Sequence, residues 1–282
     1  MAEDLRTQRK GQILAVKDLP TLPPVLDQVS RLVEDPDSST DQIAKVIGMD
    51  QVLSAKILKM VNSPIYGFPG RISSIQHALV LLGFNVIRGV IISTSVFDVM
   101  NTSMAGLWEH SIGAATAART IAERAGFKEP EEFAVAGLLH DLGKVVAAVQ
   151  MQGLREELGA LVDREDLTYF EAERRVLGFS HDMIGSWLAG HWNLPVNIKD
   201  ALSHHHKPLL ARFYPQYASV AHVADFCVRL LEFGDGGDQG VPRLDKGALK
   251  LLGIDGRGLL ACVQELDNRL VDVAGFTFGG TA

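Results

Sequence analysis

Apolar residues recur along this chain at the three-to-four-residue spacing of helices, and the two-residue alternation of a half-buried strand is nearly absent. The pattern is clear from the start. Between Pro23 and Glu34, Val25, Leu26, Val29, Leu32 and Val33 share one stripe behind Pro23 and Pro24. Asp35-Pro36-Asp37 ends that helix. Ser39 or Thr40 caps a second, which runs to Gly48. Asp50 caps a third, holding Val52, Leu53, Ile57, Leu58 and Val61 and broken by Asn62-Ser63-Pro64. After a turn-rich loop, Tyr66 to Arg71, Ser73 or Ser74 opens a helix to Leu82. Gly83 interrupts it, and Asn85 to Met100 resumes. Short helices in this number suffice for a compact bundle.

The small, polar stretch Asn101 to Gly106 is the expected boundary between two lobes. Beyond it the pattern predicts a helix from Leu107 to Ala125, closed by Gly126, and one long helix from Pro130 to Gln150. Further helices are expected at 156–162, 168–177, 181–191, 195–204 and 219–231. A Gly/Asp-rich loop, Gly234 to Gly240, precedes a last helical region from Asp245, and the tail Gly275 to Ala282 is expected to fray. The expected fold is all-α and two-lobed, an N-terminal helical bundle over residues 12–101 and a helical domain over 102–282.

Composition excludes several classes. Net charge is −7 and no basic run occurs, which argues against a nucleic-acid partner. Cys227 and Cys262 are the two cysteines, with no CxxC pair, so neither a zinc knuckle nor a disulfide framework is expected. The polar start MAEDLRTQRKGQ has no apolar core of a signal peptide. The most apolar stretch, Ala78 to Met100, is interrupted by Gly83, Asn85, Arg88 and Asp98, so no membrane partner is expected. The chain is read as cytoplasmic.

The histidines carry the chemistry. His140 and Asp141 are adjacent in AGLLHDLGK, where two neighbouring ligands can grip one ion if a helix end faces it. Lys144 follows one turn on from His140. His110 lies one helix earlier, His181 opens a later helix, His204, His205 and His206 end another, and Asp225 sits on the next. Imidazole with carboxylate suits Fe, Mn, Zn or Co, and helices that each turn one or two ligands inward are how a bundle builds a metal site. Taken singly, each residue has an ordinary reading. His77, His191 and His222 read as surface or hydrogen-bonded core residues, the triple run as a solvated C-terminal turn, and Lys144 as a partner of Asp141. As an ordered group they are far more specific.

That order resembles the HD superfamily of metal-dependent phosphohydrolases, with its H…HD…D pattern, and the extra histidines resemble the dinuclear HD-GYP branch. The resemblance implies His110, His140, Asp141, His181, His205, His206 and Asp225 as ligands of one or two divalent ions (Fe, Mn or Zn). Lys207-Pro208 favours His205 and His206 over His204. The N-terminal half resembles the HDOD domain in LPPV, in D-x-x-L-x-x-K-I-L-K-x-V-N-S and in ISS-I-x-x-A-L-x-x-L-G. WxHS at 108–111 and Trp192 to Pro195 extend the likeness over Leu19 to Leu231. Two departures from the HD-GYP pattern argue against cyclic-di-GMP hydrolysis: Lys-Pro-Leu-Leu follows the histidine run, and Gly106 stands four residues before His110.

The resemblance implies a helical signalling module whose N-terminal lobe binds an unknown signalling protein; the aromatic-Gly-Pro loop Tyr66 to Arg71 reads either as a simple inter-helix connector or as a contact surface. The alternative it implies is a phosphohydrolase acting on a nucleotide or phosphodiester. There the metal would lower the pKa of a bound water, Asp141 would bridge two ions, and Lys144 would stabilise phosphoryl charge. A third reading, retained histidines without metal, would leave up to seven polar groups uncompensated in a core.

Overall fold

The structure, a computed structural model, describes residues 24–150, 153–165, 167–237 and 240–278. Pro23, the start of the first lobe at residue 12 and the tail beyond 278 lie outside the described residues. Among those described there are helices and no strands.

The N-terminal lobe consists of α1 (Pro24–Glu34), α2 (Thr40–Gly48), α3 (Gln51–Val61) and the long α4 (Ile75–Ser103). Local chemistry sets their starts. Ser39 and Gln42 form a reciprocal capping box on α2. Asp50 accepts from Leu53 N at α3, and Ser74 from His77 N at α4. Gly83 takes φ 73° and ψ 169° inside α4, a conformation that essentially only glycine adopts, and bends the helix there. By length and composition α4 matches a membrane span, yet 61% of its most apolar window is buried within the protein. It packs on α2 and α3 and on the second lobe, as a core helix does.

The second lobe is built on α5 (Leu107–Arg124), which packs against α6 (Pro130–Leu139), α12 (Pro215–Leu230) and α14 (Gly256–Val273). Its alanine-rich faces allow close helix approach. A Cβ at Gly137 on α6 would lie 2.4 Å from Ala114 O. Between these come α7 (Leu142–Gln150), α8 (Leu154–Glu165), α9 (Tyr169–Leu177), α10 (His181–His191) and α11 (Val196–His204), with the short α13 (Lys246–Leu251) after α12. One hydrophobic cluster runs from Leu26 to Val273 through both lobes. Arg88 on α4 ties them further by donating to Trp192 O at 2.8 Å and Asn193 O at 2.6 Å, beyond the end of α10.

The structure corrects three local expectations. The helix expected from Pro130 to Gln150 is two, broken at His140-Asp141. Beyond the break, Gly143 of α7 meets the His181 carbonyl at a distance that admits no Cβ. The α12 helix starts at Pro215, four residues before the expected Ser219, with the proline in its first turn. Of the tail, Phe276 and Phe278 pack on the core: Trp108 donates to Phe276 O at 2.8 Å, and Phe278 meets the Phe97 ring edge-on at 5.0 Å. Aromatic burial anchors what composition alone marks as loose.

Candidate metal centre

The break between α6 and α7 puts His140 and Asp141 in a turn that faces the middle of the second lobe. Around it stand His110 on α5, His181 at the first position of α10, His205 and His206 just past α11, and Asp225 on α12. All seven come together. All are buried except His206, which is half-buried. His204 is outside the group, and the two triads form without it.

The cluster has two halves. His110, His140 and Asp225 form one, and His181, His205 and His206 the other, each with ligand atoms within 4.8 Å of one another. In the first, His110 Nε2 lies 3.3 Å from His140 Nε2 and 3.3 Å from Asp225 Oδ1. In the second, His181 Nε2 lies 3.3 Å from His205 Nε2 and 2.7 Å from His206 Nε2. Asp141 stands between them. Its Oδ2 is 3.2 Å from His140 Nε2 and 3.5 Å from His110 Nε2. Its Oδ1 is 3.3 Å from His181 Nε2 and 3.7 Å from His205 Nε2.

The outer ring nitrogens explain this orientation. His140 Nδ1 donates to Gly137 O at 2.7 Å, His205 Nδ1 to Leu202 O at 3.1 Å, and His181 Nδ1 to Glu173 Oε2 at 2.6 Å. An imidazole that donates from Nδ1 presents an Nε2 lone pair on its other side. Several lone pairs thus converge on carboxylate oxygens. Asp141 Oδ1 and Asp225 Oδ1 are buried with no hydrogen-bond donor. Such a concentration of acceptors is costly without a cation to meet it, so the residues fit a metal group.

Electrostatics point the same way. Burial opposes ionisation of Asp141, but His140, Lys144 and His110 outweigh it and hold the carboxyl well below its usual range. Burial also opposes ionisation of Asp225, which His110 and Arg229 keep well below that range. Burial, then the neighbouring imidazoles, push His205 and His206 well below the ordinary histidine value and keep them neutral, the form that ligates. His110 differs. Burial works against its charged form, yet the adjacent Asp141 and Asp225 carboxylates outweigh burial and raise its pKa.

Lys144 is buried, donating to Asp141 Oδ2 at 2.7 Å and to Gly236 O at 2.6 Å. The Gly234 to Gly237 backbone lies against the first half of the cluster. A Cβ at Gly234 would fall 2.2 Å from His110 N, so this approach requires glycine. His222 is a hydrogen-bonded core residue, as its ordinary reading expected, donating from Nδ1 to His205 O at 2.7 Å. His77 and His191 are exposed.

Sequence reasoning missed Glu173. It is fully buried on α9 and accepts from both the backbone N (2.8 Å) and Nδ1 of His181. Lying in the charged run EAERR, it carries no signal that separates it from its solvated neighbours. Arg229, one turn after Asp225 and 3.9 Å from it, was legible from i,i+4 spacing.

Comparison with known proteins supplies the family context. The HDOD domain family matches residues 19–208. The structure resembles that of an HDOD domain protein of unknown function from Geobacter sulfurreducens, at TM-score 0.72 and 31% identity, covering 95% of this chain and 96% of that one. It also resembles a proposed phosphohydrolase of Shewanella amazonensis SB2B, at TM-score 0.69 and 22% identity over 93% and 96% of the two chains, a likeness of fold. A curated protein of Treponema pallidum (strain Nichols) is 25% identical over 233 residues, which are 81% of this chain and 45% of that protein. The chain therefore spans less than half the length of that relative.

Proposed function

We propose, from the premise that this chain belongs to the HDOD domain family, that it is a regulatory protein whose second lobe hydrolyses a phosphate ester at a dinuclear metal centre. The observation that carries this reading is the divided carboxylate of Asp141, with Oδ2 toward His110 and His140 and Oδ1 toward His181 and His205. His110, His140 and Asp225 would hold one ion, His181, His205 and His206 the other, and Asp141 both. The donor set suits Fe, Mn or Zn. When bound, such ions supply Lewis acidity toward phosphoryl oxygen and water.

The protein's own groups have distinct tasks. Neutral His205 and His206 offer lone pairs without first losing a proton. Glu173 and the Gly137 and Leu202 carbonyls fix ring orientation. Lys144 is the ammonium nearest the cluster and the residue suited to meet phosphoryl oxygens, which points to a nucleotide or phosphodiester substrate. The N-terminal lobe would take the signalling partner. The fold likeness to the Shewanella protein agrees with this class by analogy only.

A second reading is a metal-dependent sensor without turnover. What favours it is the double engagement of Lys144 with Asp141 and Gly236 O, which holds its charge away from any substrate. Metal analysis of the purified chain, joined to hydrolysis of a nucleotide and cyclic-dinucleotide panel, separates the two. Hydrolysis predicts about two ions per chain and turnover lost in Asp141→Ala. It also predicts that Lys144→Ala keeps its metal while turnover falls by roughly a hundredfold. Two ions with no turnover on any substrate favours the sensor. No metal after reconstitution overturns both.

A further inference from the structure

The HDOD-like motif of α3 has polar residues that the metal centre does not use. Lys59 and Ser63 line a groove of 1040 Å³ between α3, the 62–73 loop and Phe276, well away in sequence from every candidate ligand. Its walls carry two unlike chemistries. Lys59 and Arg71 are exposed, and among the described residues neither has an ion-pair partner, in a chain with a net charge of −7. Phe68 and Phe276 add aromatic surface, with the Lys59 ammonium 5.9 Å from the Phe276 ring centre. Ser63 is only 5% exposed, and its hydroxyl has no hydrogen-bond partner. Such an orphan on a groove wall lacks the partner that buried hydroxyls normally have.

The groove is also held in shape. Asn62 donates from Nδ2 to Leu58 O at 2.7 Å and Ile72 O at 2.8 Å, and its Oδ1 accepts from Ile72 N at 2.8 Å. That side chain is committed to tying the loop to α3. Ser63, Lys59 and Arg71 are the groups left for a ligand.

We propose that this groove binds a nucleoside phosphate, with the phosphate on Lys59, Arg71 and the Ser63 hydroxyl and the base against Phe68. Cations supply the anion contact, and an aromatic face supplies stacking to a base. An extended peptide fits less well. It would need free backbone donors and acceptors along one wall, whereas α3 satisfies its own and Pro64 and Pro69 have no N–H. The volume lies just above the usual range for small-ligand sites, which leaves room for a nucleoside phosphate. This site is independent of hydrolysis at the metal centre.

The test is titration of mant-labelled adenosine diphosphate into the full chain after EDTA treatment, which removes the metal centre as a competing phosphate site. Saturable binding is expected. The Lys59→Gln/Arg71→Gln double variant should weaken it about tenfold or more, and Phe68→Ala about fivefold or more. The double variant should melt as the parent does, because the substituted cations are exposed; Phe68→Ala removes a side chain packed partly on the core, so its affinity is read well below its own melting transition. No binding, or unchanged affinity in the double variant, overturns the proposal. Displacement of the label by pyrophosphate as readily as by unlabelled ADP overturns the nucleoside assignment. Displacement by a hexaglutamate peptide at lower concentration than ADP overturns it in favour of an acidic protein segment.

Discussion

Gly143→Ala sets two effects of opposite sign against each other. Gly143 lies in α7 within the HDLGK motif, and in a helix alanine is favoured over glycine by about 1 kcal/mol. Sterics oppose this gain. The new Cβ would fall 1.9 Å from His181 O, 2.8 Å from His181 C and 2.9 Å from Gly185 N. All three are backbone atoms, so no side chain can swing away. Reaching ordinary van der Waals contact requires α7 and α10 to part by roughly 1.5 Å. Overpacking of this kind costs about 1–3 kcal/mol, which leaves a net loss of up to about 2 kcal/mol. The displacement also carries His181 away from Asp141, by far more than the ~0.2 Å that metal–ligand distances tolerate. Urea unfolding of the metal-free chain should show a lower midpoint at unchanged slope. With the proposed dinuclear centre, metal content should fall from two ions toward one. Gly159→Ala on α8, where a Cβ meets nothing within 4 Å, is the control and should gain about 1 kcal/mol. If Gly143→Ala is stabilised like that control and keeps its full metal content, the close packing of α7 on α10 is wrong.

Further predictions test the centre. Glu173→Gln should weaken metal binding by about 10- to 100-fold, read by competition with a chromophoric chelator, while the far-ultraviolet spectrum is unchanged; equal affinity would remove Glu173 from the positioning of His181. Chelation should lower the melting temperature by about 10 °C, if the ion is present at roughly a thousand times its dissociation constant. An unmoved transition would point to retained histidines without metal. Acidification should destabilise the metal-free chain. His205 and His206 are held neutral in the folded state, whereas the unfolded chain takes up protons near pH 6.5. Their contribution is therefore full above that pH and fades below it, at up to about 2.7 kcal/mol per pH unit for the pair. His110, held above its ordinary value, works in the opposite sense: its contribution is full below pH 6.5 and fades as pH rises. Urea midpoints at pH 7.5 and 5.5 decide, and a higher midpoint at pH 5.5 would contradict the buried neutral pair.

What could be read without coordinates follows the range of the forces involved. The starts at Ser39, Asp50, Ser74 and Thr168 are local, since each cap lies within three residues of its partner, and the chain narrows each to one or two adjacent residues. The kink at Gly83 is equally local. The break at His140-Asp141 is not, because neither residue disfavours a helix enough to end one. Just beyond it Gly143 packs on the His181 backbone, 38 residues on in the numbering, a contact that no local signal announces. The same distinction divides the candidate site. The His/Asp order was legible because ligand chemistry demands particular side chains, whereas Glu173 acts through His181, and many acceptors could take its place. The cradle that orients the rings is made largely of main-chain carbonyls, at Gly137 and Leu202, which carry no residue signature. The candidate ligands can therefore be read from residue type, but their grouping into two halves cannot. That grouping depends on the turn at His140-Asp141, which lets one carboxylate face both triads and which a single unbroken helix from Pro130 to Gln150 would lack.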